Sequence, residues 1–131
     1  MNYLLDTHTF MWFVSNSREL GQRAKQLIED DTSNLFLSVA SIWEIGIKNS
    51  LGKLDVKGGF ESIPDDLKVN GIDIMFFDFN HISIINKLPF HHRDPFDRMI
   101  IAQAISENMD IIGVDKEFDN YLIDTPVKRI W

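Results

Sequence analysis

The sequence predicts an α/β domain built on a mostly parallel sheet of five strands. Three observations predict it. Short apolar runs alternate with longer segments of helical period along the whole chain, the pattern of strands joined by crossover helices. The length, 131 residues, is that of one ordinary domain, 1–131, with no linker or repeat inside it. Finally, 44% of the residues are hydrophobic and 25% charged, which describes a folded chain and excludes disordered, collagenous and coiled-coil readings.

Taken in order, Asn2–Leu5 reads as the first strand, and His8–Val14 as a helix whose Phe10-Met11-Trp12-Phe13 run is too apolar for one exposed face. Gly21–Asp30 places Ala24, Leu27 and Ile28 on one helical face. Leu35–Ser38 is the second strand and runs straight into a helix over Val39–Leu51; a further helix is expected over Phe60–Val69. Asp73–Phe77 is the third strand, followed by a helix over Asn80–Lys87. The strongest helix, Pro95–Glu107, is announced by Asp94 as N-cap and Pro95 at the first helical position. Asp110–Val114 and Val127–Trp131 complete the sheet, with every gap except the last long enough for a crossover.

Twenty Asp plus Glu against thirteen Lys plus Arg leaves a net charge of −7, so nucleic acid, if bound, is met at a local site rather than by a general basic surface. The absence of cysteine excludes disulfides, thiol chemistry and cysteine-ligated zinc. No apolar run approaches the roughly 18 residues of a membrane span, and the start lacks a basic leader, so a cytoplasmic protein without membrane contact is expected.

Ligands of open parallel sheets sit outside the carboxyl ends of the strands. Asp6 follows the first strand, Asp115 the fourth, and Glu44 lies in the first turns of the helix after the second. Asp97 lies in the first turn of the Pro95–Glu107 helix. Each acid alone has a structural explanation: capping for Asp6 and Asp97, a turn for Asp115, an i,i+4 pair with Lys48 for Glu44. Together they describe an oxygen-rich anionic pocket suited to Mg²⁺ or Mn²⁺ and to metal-assisted phosphodiester hydrolysis. Thr7 either caps a helix or reaches a metal-bound water, and Arg93 and Arg98 contact phosphate or pair with a neighbouring acid. His91 and His92 are read as loop packing or substrate contact, ahead of ligation, and His8 and His81 as lying on helix faces without a role. Trp12 is read first as core or interface, with base stacking as a further possibility.

Three stretches carry a family resemblance: Leu4-Leu5-Asp6-Thr7-His8, Ser41-Ile42-Trp43-Glu44-Ile45, and Leu88-Pro89-Phe90-His91-His92-Arg93-Asp94-Pro95-Phe96-Asp97-Arg98 running into Met99-Ile100-Ile101-Ala102-Gln103-Ala104. Over essentially its whole length the chain resembles PIN-domain proteins of the VapC type, the ribonuclease toxins of type II toxin–antitoxin modules. The resemblance implies a three-layer α/β/α PIN-like domain around a central five-stranded parallel sheet. It also implies a Mg²⁺- or Mn²⁺-dependent endoribonuclease acting on single-stranded RNA, a cognate antitoxin and a homodimer. It makes Asp6, Glu44 and Asp97 metal-site acids and Asp115 the fourth, with Asp94 as the N-cap and in an outer position around the site; beside it, Thr7 and Arg98 are read from their own places in the sequence as outer or substrate contacts. The family often carries Thr or Ser two residues before the fourth acid, where this chain has Gly113. Two rival readings are a non-catalytic PIN-like binding module, disfavoured because every central acid is present, and a phosphoaspartate receiver with Asp78 as phosphoacceptor. The receiver reading lacks the second acid after the first strand.

Overall fold

The computed structural model describes residues 1–131. The strands are β1 (Asn2–Leu5), β2 (Asn34–Ser38), β3 (Ile72–Met75), β4 (Asp110–Ile112) and β5 (Arg129–Ile130). They pair in the order β3-β2-β1-β4-β5, every neighbouring pair parallel. Seven helices connect them: α1 (Thr7–Val14), α2 (Gln22–Glu29), α3 (Val39–Ser50), α4 (Ile63–Val69), α5 (Phe79–Lys87), α6 (Pro95–Glu107) and α7 (Asp119–Leu122), with single 3-10 turns at Phe60–Ser62 and Lys116–Phe118. No helix is long and apolar enough to cross a membrane.

The period-2 alternation of the strands divides the core into two layers. Tyr3, Leu5, Leu35, Leu37 and Ile112 face a cluster with Phe10 and Met11 of α1, Ala24 and Ile28 of α2, Ile45 of α3 and Leu67 of α4. Leu4 and Ile111 face the other way, onto Ile100, Ile101 and Ala104 of α6 and Tyr121 and Leu122 of α7. A parallel sheet buried on both faces between helices is the expected three-layer α/β/α arrangement.

Three expectations are corrected. The third strand ends at Met75, not Phe77, because Phe76 and Phe77 turn outward, with Phe76 70% exposed. The last gap does hold a crossover: the 3-10 turn and α7 span it, and β4 and β5 pair in parallel. Finally, His81 has a definite place. It is buried and forms a capping box with Asp78 at the start of α5, and its Nε2 meets Glu107 Oε1 at 3.1 Å. Asp78 is therefore a helix cap.

Candidate active site

In the order β3-β2-β1-β4-β5 the chain runs outward in one direction from β1 and in the other from β4. A crevice opens between such strands at their carboxyl ends, where α/β sheets bind ligands. Asp6 follows β1 directly and Asp115 closes the turn after β4. Glu44 reaches the same end from α3, and Asp97 from the first turn of α6.

Asp6 is 4% exposed. Its main-chain N–H donates to Ile112 O at 3.0 Å, extending the β1–β4 pairing, and its Oδ1 accepts from Thr9 N at 2.7 Å as the N-cap of α1. Burial raises its pKa above the usual carboxylate range, against the lowering effect of the Thr9 bonds and of nearby His8. Glu44 is equally buried. Its Oε1 accepts from the Thr7 hydroxyl at 2.9 Å, Thr7 Oγ1 lies 2.9 Å from Ser41 Oγ, and its Oε2 accepts from Lys48 Nζ at 2.6 Å. Thr7 therefore holds Glu44, while the cap of α1 is Asp6. The bond to Glu44 raises the Lys48 pKa, and Asp94 and Asp97 add to it.

Asp94 is the N-cap of α6: its Oδ1 accepts from Phe96 N at 2.8 Å and from Asp97 N at 3.2 Å. Asp97 is thus relieved of capping duty, and its side chain, 23% exposed, turns to the crevice. Burial first, then Asp94, with Glu44 and Asp6 adding, push the Asp97 carboxyl up to about 7; His92 opposes them. Carboxylates from three elements thus repel one another at this mouth.

The residue that spans it is one the sequence offers only as loop packing or substrate contact. His92 Nε2 lies 3.1 Å from Asp97 Oδ2, 3.2 Å from Asp115 Oδ2 and 3.7 Å from Glu117 Oε2. Its Nδ1 accepts from Asp94 N at 3.2 Å, so the proton sits on Nε2, aimed at the acids. Ligand atoms of His92, Asp115 and Glu117 lie within 4.8 Å of one another. The geometry makes this trio two carboxylates and a donor rather than three ligands. Only the Asp-x-Glu spacing of Asp115 and Glu117 hinted at a second acid here.

Arg98 does not reach the crevice. It is buried, and its guanidinium donates to the carbonyls of Ile85, Leu88, Pro89 and His92 and to Tyr121 Oη, at 2.7 to 3.3 Å. It is therefore neither free for phosphate nor paired with an acid, the two alternatives its position in the sequence left open. Its work is to hold the loop that carries His92. Tyr121 assists, its hydroxyl accepting from His92 N at 2.6 Å and lying 3.2 Å from His92 O. His91 packs edge-on against Tyr121, as loop packing predicts. Opposite, Arg129 grips Asp119 with two bonds and donates to Gly113 O at 3.0 Å. A Cβ built at Gly113 would stand 2.6 Å from Asp6 Oδ2. There is thus no room beside Asp6 for the hydroxyl residue the resemblance leads one to expect.

The donor set is hard and oxygen-rich, and its mutual repulsion is of the kind a divalent cation relieves; the residues fit Mg²⁺ or Mn²⁺ and not a thiophilic ion. No curated protein sequence matches the chain. Among solved structures the fold is similar to that in VapBC2 from Rickettsia felis bound to a promoter DNA fragment, with TM-score 0.71 and 15% identity over 99% of this chain and 98% of that one. VapBC-1 from nontypeable Haemophilus influenzae gives 0.64 and 18%, over 99% and 97%. FitAcB from Neisseria gonorrhoeae gives 0.66 and 14%, over 98% and 96%. The sequence pattern of the PIN domain matches residues 3–122, from β1 through α7, and so takes in all the acids described above. With that match and this fold, the chain belongs to the PIN domain family.

Proposed function

We propose that the chain, as a single PIN domain over residues 1–131, is a Mg²⁺- or Mn²⁺-dependent endoribonuclease and the toxin of a type II toxin–antitoxin module. The observation that carries this reading is that Glu44 and Asp6 both act by charge on Asp97, and that His92 Nε2 lies between Asp97 and Asp115, at the carboxyl ends of β1 and β4. Acids gathered around Asp97 at a cost in repulsion are hard to explain as capping and turn residues alone. That the fold is shared with the VapBC and FitAcB structures supports the toxin assignment and a cognate antitoxin.

In this reading Asp6 and Asp97 hold the principal cation, Glu44 holds it or orients the attacking water, and Asp115 serves a second, weaker position. The bound cation supplies a nucleophilic water at neutral pH and neutralises charge on the phosphodiester. Thr7 and Lys48 fix the Glu44 carboxylate from both oxygens. His92 directs its Nε2 proton at Asp97 and Asp115, holding the two side chains toward one another. Asp94 fixes the first turn of α6, and with it the direction of Asp97. Cleavage leaves 5′-phosphate and 3′-hydroxyl ends without a covalent intermediate.

The exposed apolar residues Trp43, Phe77, Ile82 and Phe90 surround a cleft of about 420 Å³ between α3, α5 and α6. Such a patch supports a homodimer. A cytoplasmic location follows from the module, not from the fold.

The test is cleavage of total cellular RNA with Mg²⁺, with Mn²⁺ and with EDTA, beside Asp6→Asn. Discrete fragments that vanish with EDTA and in the variant are expected. Folded, antitoxin-free protein that cuts under none of these conditions would leave the binding-module reading in its place.

A further inference from the structure

A second cleft, of about 200 Å³, opens on the α1–α3 side of the acids. Thr7 and Glu44 line it, so its inner end is continuous with the crevice. At its outer end His8 stacks on Trp12, ring centroids 5.4 Å apart and planes 26° from parallel, and Trp12 in turn meets Trp131 edge-on at 5.7 Å. His8 is exposed, so its outer face is open to solvent. Lys48 and Lys57 line the same cleft, with Glu44 and Asp55 as its acids. The ion pairs made by lysine and arginine are Lys25–Glu29, Lys48–Glu44 and Arg129–Asp119, which leaves Lys57 free.

We infer that this cleft is a nucleotide subsite: a base of single-stranded RNA stacks on His8, continuing the His8–Trp12 stack, while Lys57 meets a backbone phosphate. The inference rests on the ribonuclease reading and adds to it the path of the strand next to the scissile bond. A flat ring combined with a free cation is the chemistry by which single strands are held without sequence readout, since every base has a π-face. The cleft is smaller than the roughly 300 Å³ of pockets for drug-sized ligands, which suits one flat ring. It also places a stacked base beside the acids that handle its phosphate.

The experiment is fluorescence anisotropy with a labelled, mixed-sequence single-stranded octaribonucleotide. It is run in EDTA and in the Asp97→Asn background, which lowers the negative charge at the mouth and stops cleavage. His8→Ala should weaken binding about tenfold, within the range that one base–aromatic stack contributes. Lys57→Ala should lower the slope of log affinity against log salt by about 0.7, the loss of one phosphate contact on a single strand. Both residues are exposed, and near-ultraviolet circular dichroism checks that the variants fold. Binding within twofold of the parent in both variants overturns the subsite, as does a parent without affinity for the RNA; the cleft then belongs to a protein partner. Cleavage with Mg²⁺ is followed separately in proteins with Asp97 intact. Cleavage with unaffected variants refutes the subsite alone, whereas variant-sensitive binding without cleavage refutes the nuclease alone and upholds the subsite.

Discussion

Gly113→Ala is the smallest change that reaches the site, and its cost can be worked from the structure. The new Cβ would stand 2.6 Å from Asp6 Oδ2, 3.1 Å from Asp6 Cγ and 3.4 Å from Asp6 Cβ. Neither side can yield cheaply. Residue 113 is pinned by its N–H to Ile130 O and by Arg129 on its own carbonyl, both at 3.0 Å. Asp6 is buried and bound to Thr9 N. Relief requires the carboxylate to swing, which forfeits the α1 cap, about 1 kcal/mol. It also brings the crowding of an overpacked site, about 1–3 kcal/mol. Gly113 is not at positive φ, so alanine meets no backbone strain and returns about 0.4–1 kcal/mol through the unfolded chain. The net loss is about 2 kcal/mol, or roughly 6–10 °C in Tm for a domain of this size. Thermal and urea melts read it directly, and metal-dependent cleavage should fall with it. The sharper assay is a double-mutant cycle with Asp6→Ala, in which the loss should shrink because the colliding carboxylate is gone. A melting point equal to that of the parent, or the same loss in both backgrounds, would refute the collision.

Asp97→Asn should abolish cleavage and leave the metal-free protein at least as stable at pH 8. The folded pKa of Asp97, about 7, lies above the 3.8 of a free aspartate side chain, so the folded state binds the extra proton between those values. Its contribution therefore favours folding at low pH and is lost as pH rises through about 7. Melts at pH 5 and 8 should show a smaller pH dependence in the variant, and an undiminished dependence would exclude Asp97 as its source. Arg98→Lys should lower stability by about 2–3 kcal/mol, because an ammonium offers three donors where the guanidinium serves five acceptors. A urea midpoint within error of the parent would count against that network. Asp94→Ala should cost about 1 kcal/mol by removing the cap of α6; calorimetry showing no loss would mean that Pro95 alone starts the helix.

Much of this architecture was legible in the residues. Strands buried on both faces announce themselves as short apolar runs, and β1 was bounded to the residue. Asp94-Pro95 marked the start of α6 because capping chemistry is local. What stayed hidden was set by tertiary contact. The single turn of α7 is too short to show a period. Phe76 and Phe77 continue an apolar run although the sheet has ended. In the site, the four acids were visible because each follows an element whose direction the sequence reveals. His92 was not, because its approach to Asp97 and Asp115 depends on a loop path set by Arg98 and Tyr121 from distant positions. Arg98 was misplaced for the same reason: an arginine beside two acids looks available for phosphate until its carbonyl partners are seen.

Asp6 is mounted on the central strand and Asp97 on α6, whose residues Arg98 to Ala104 are all buried. The amides of these two elements should exchange with solvent water only when the whole molecule opens. Thus the acids share the lifetime of the core rather than that of a mobile loop. On the proposed function, a partner covering the mouth would silence these two acids without unfolding them, and its loss would leave them already in place.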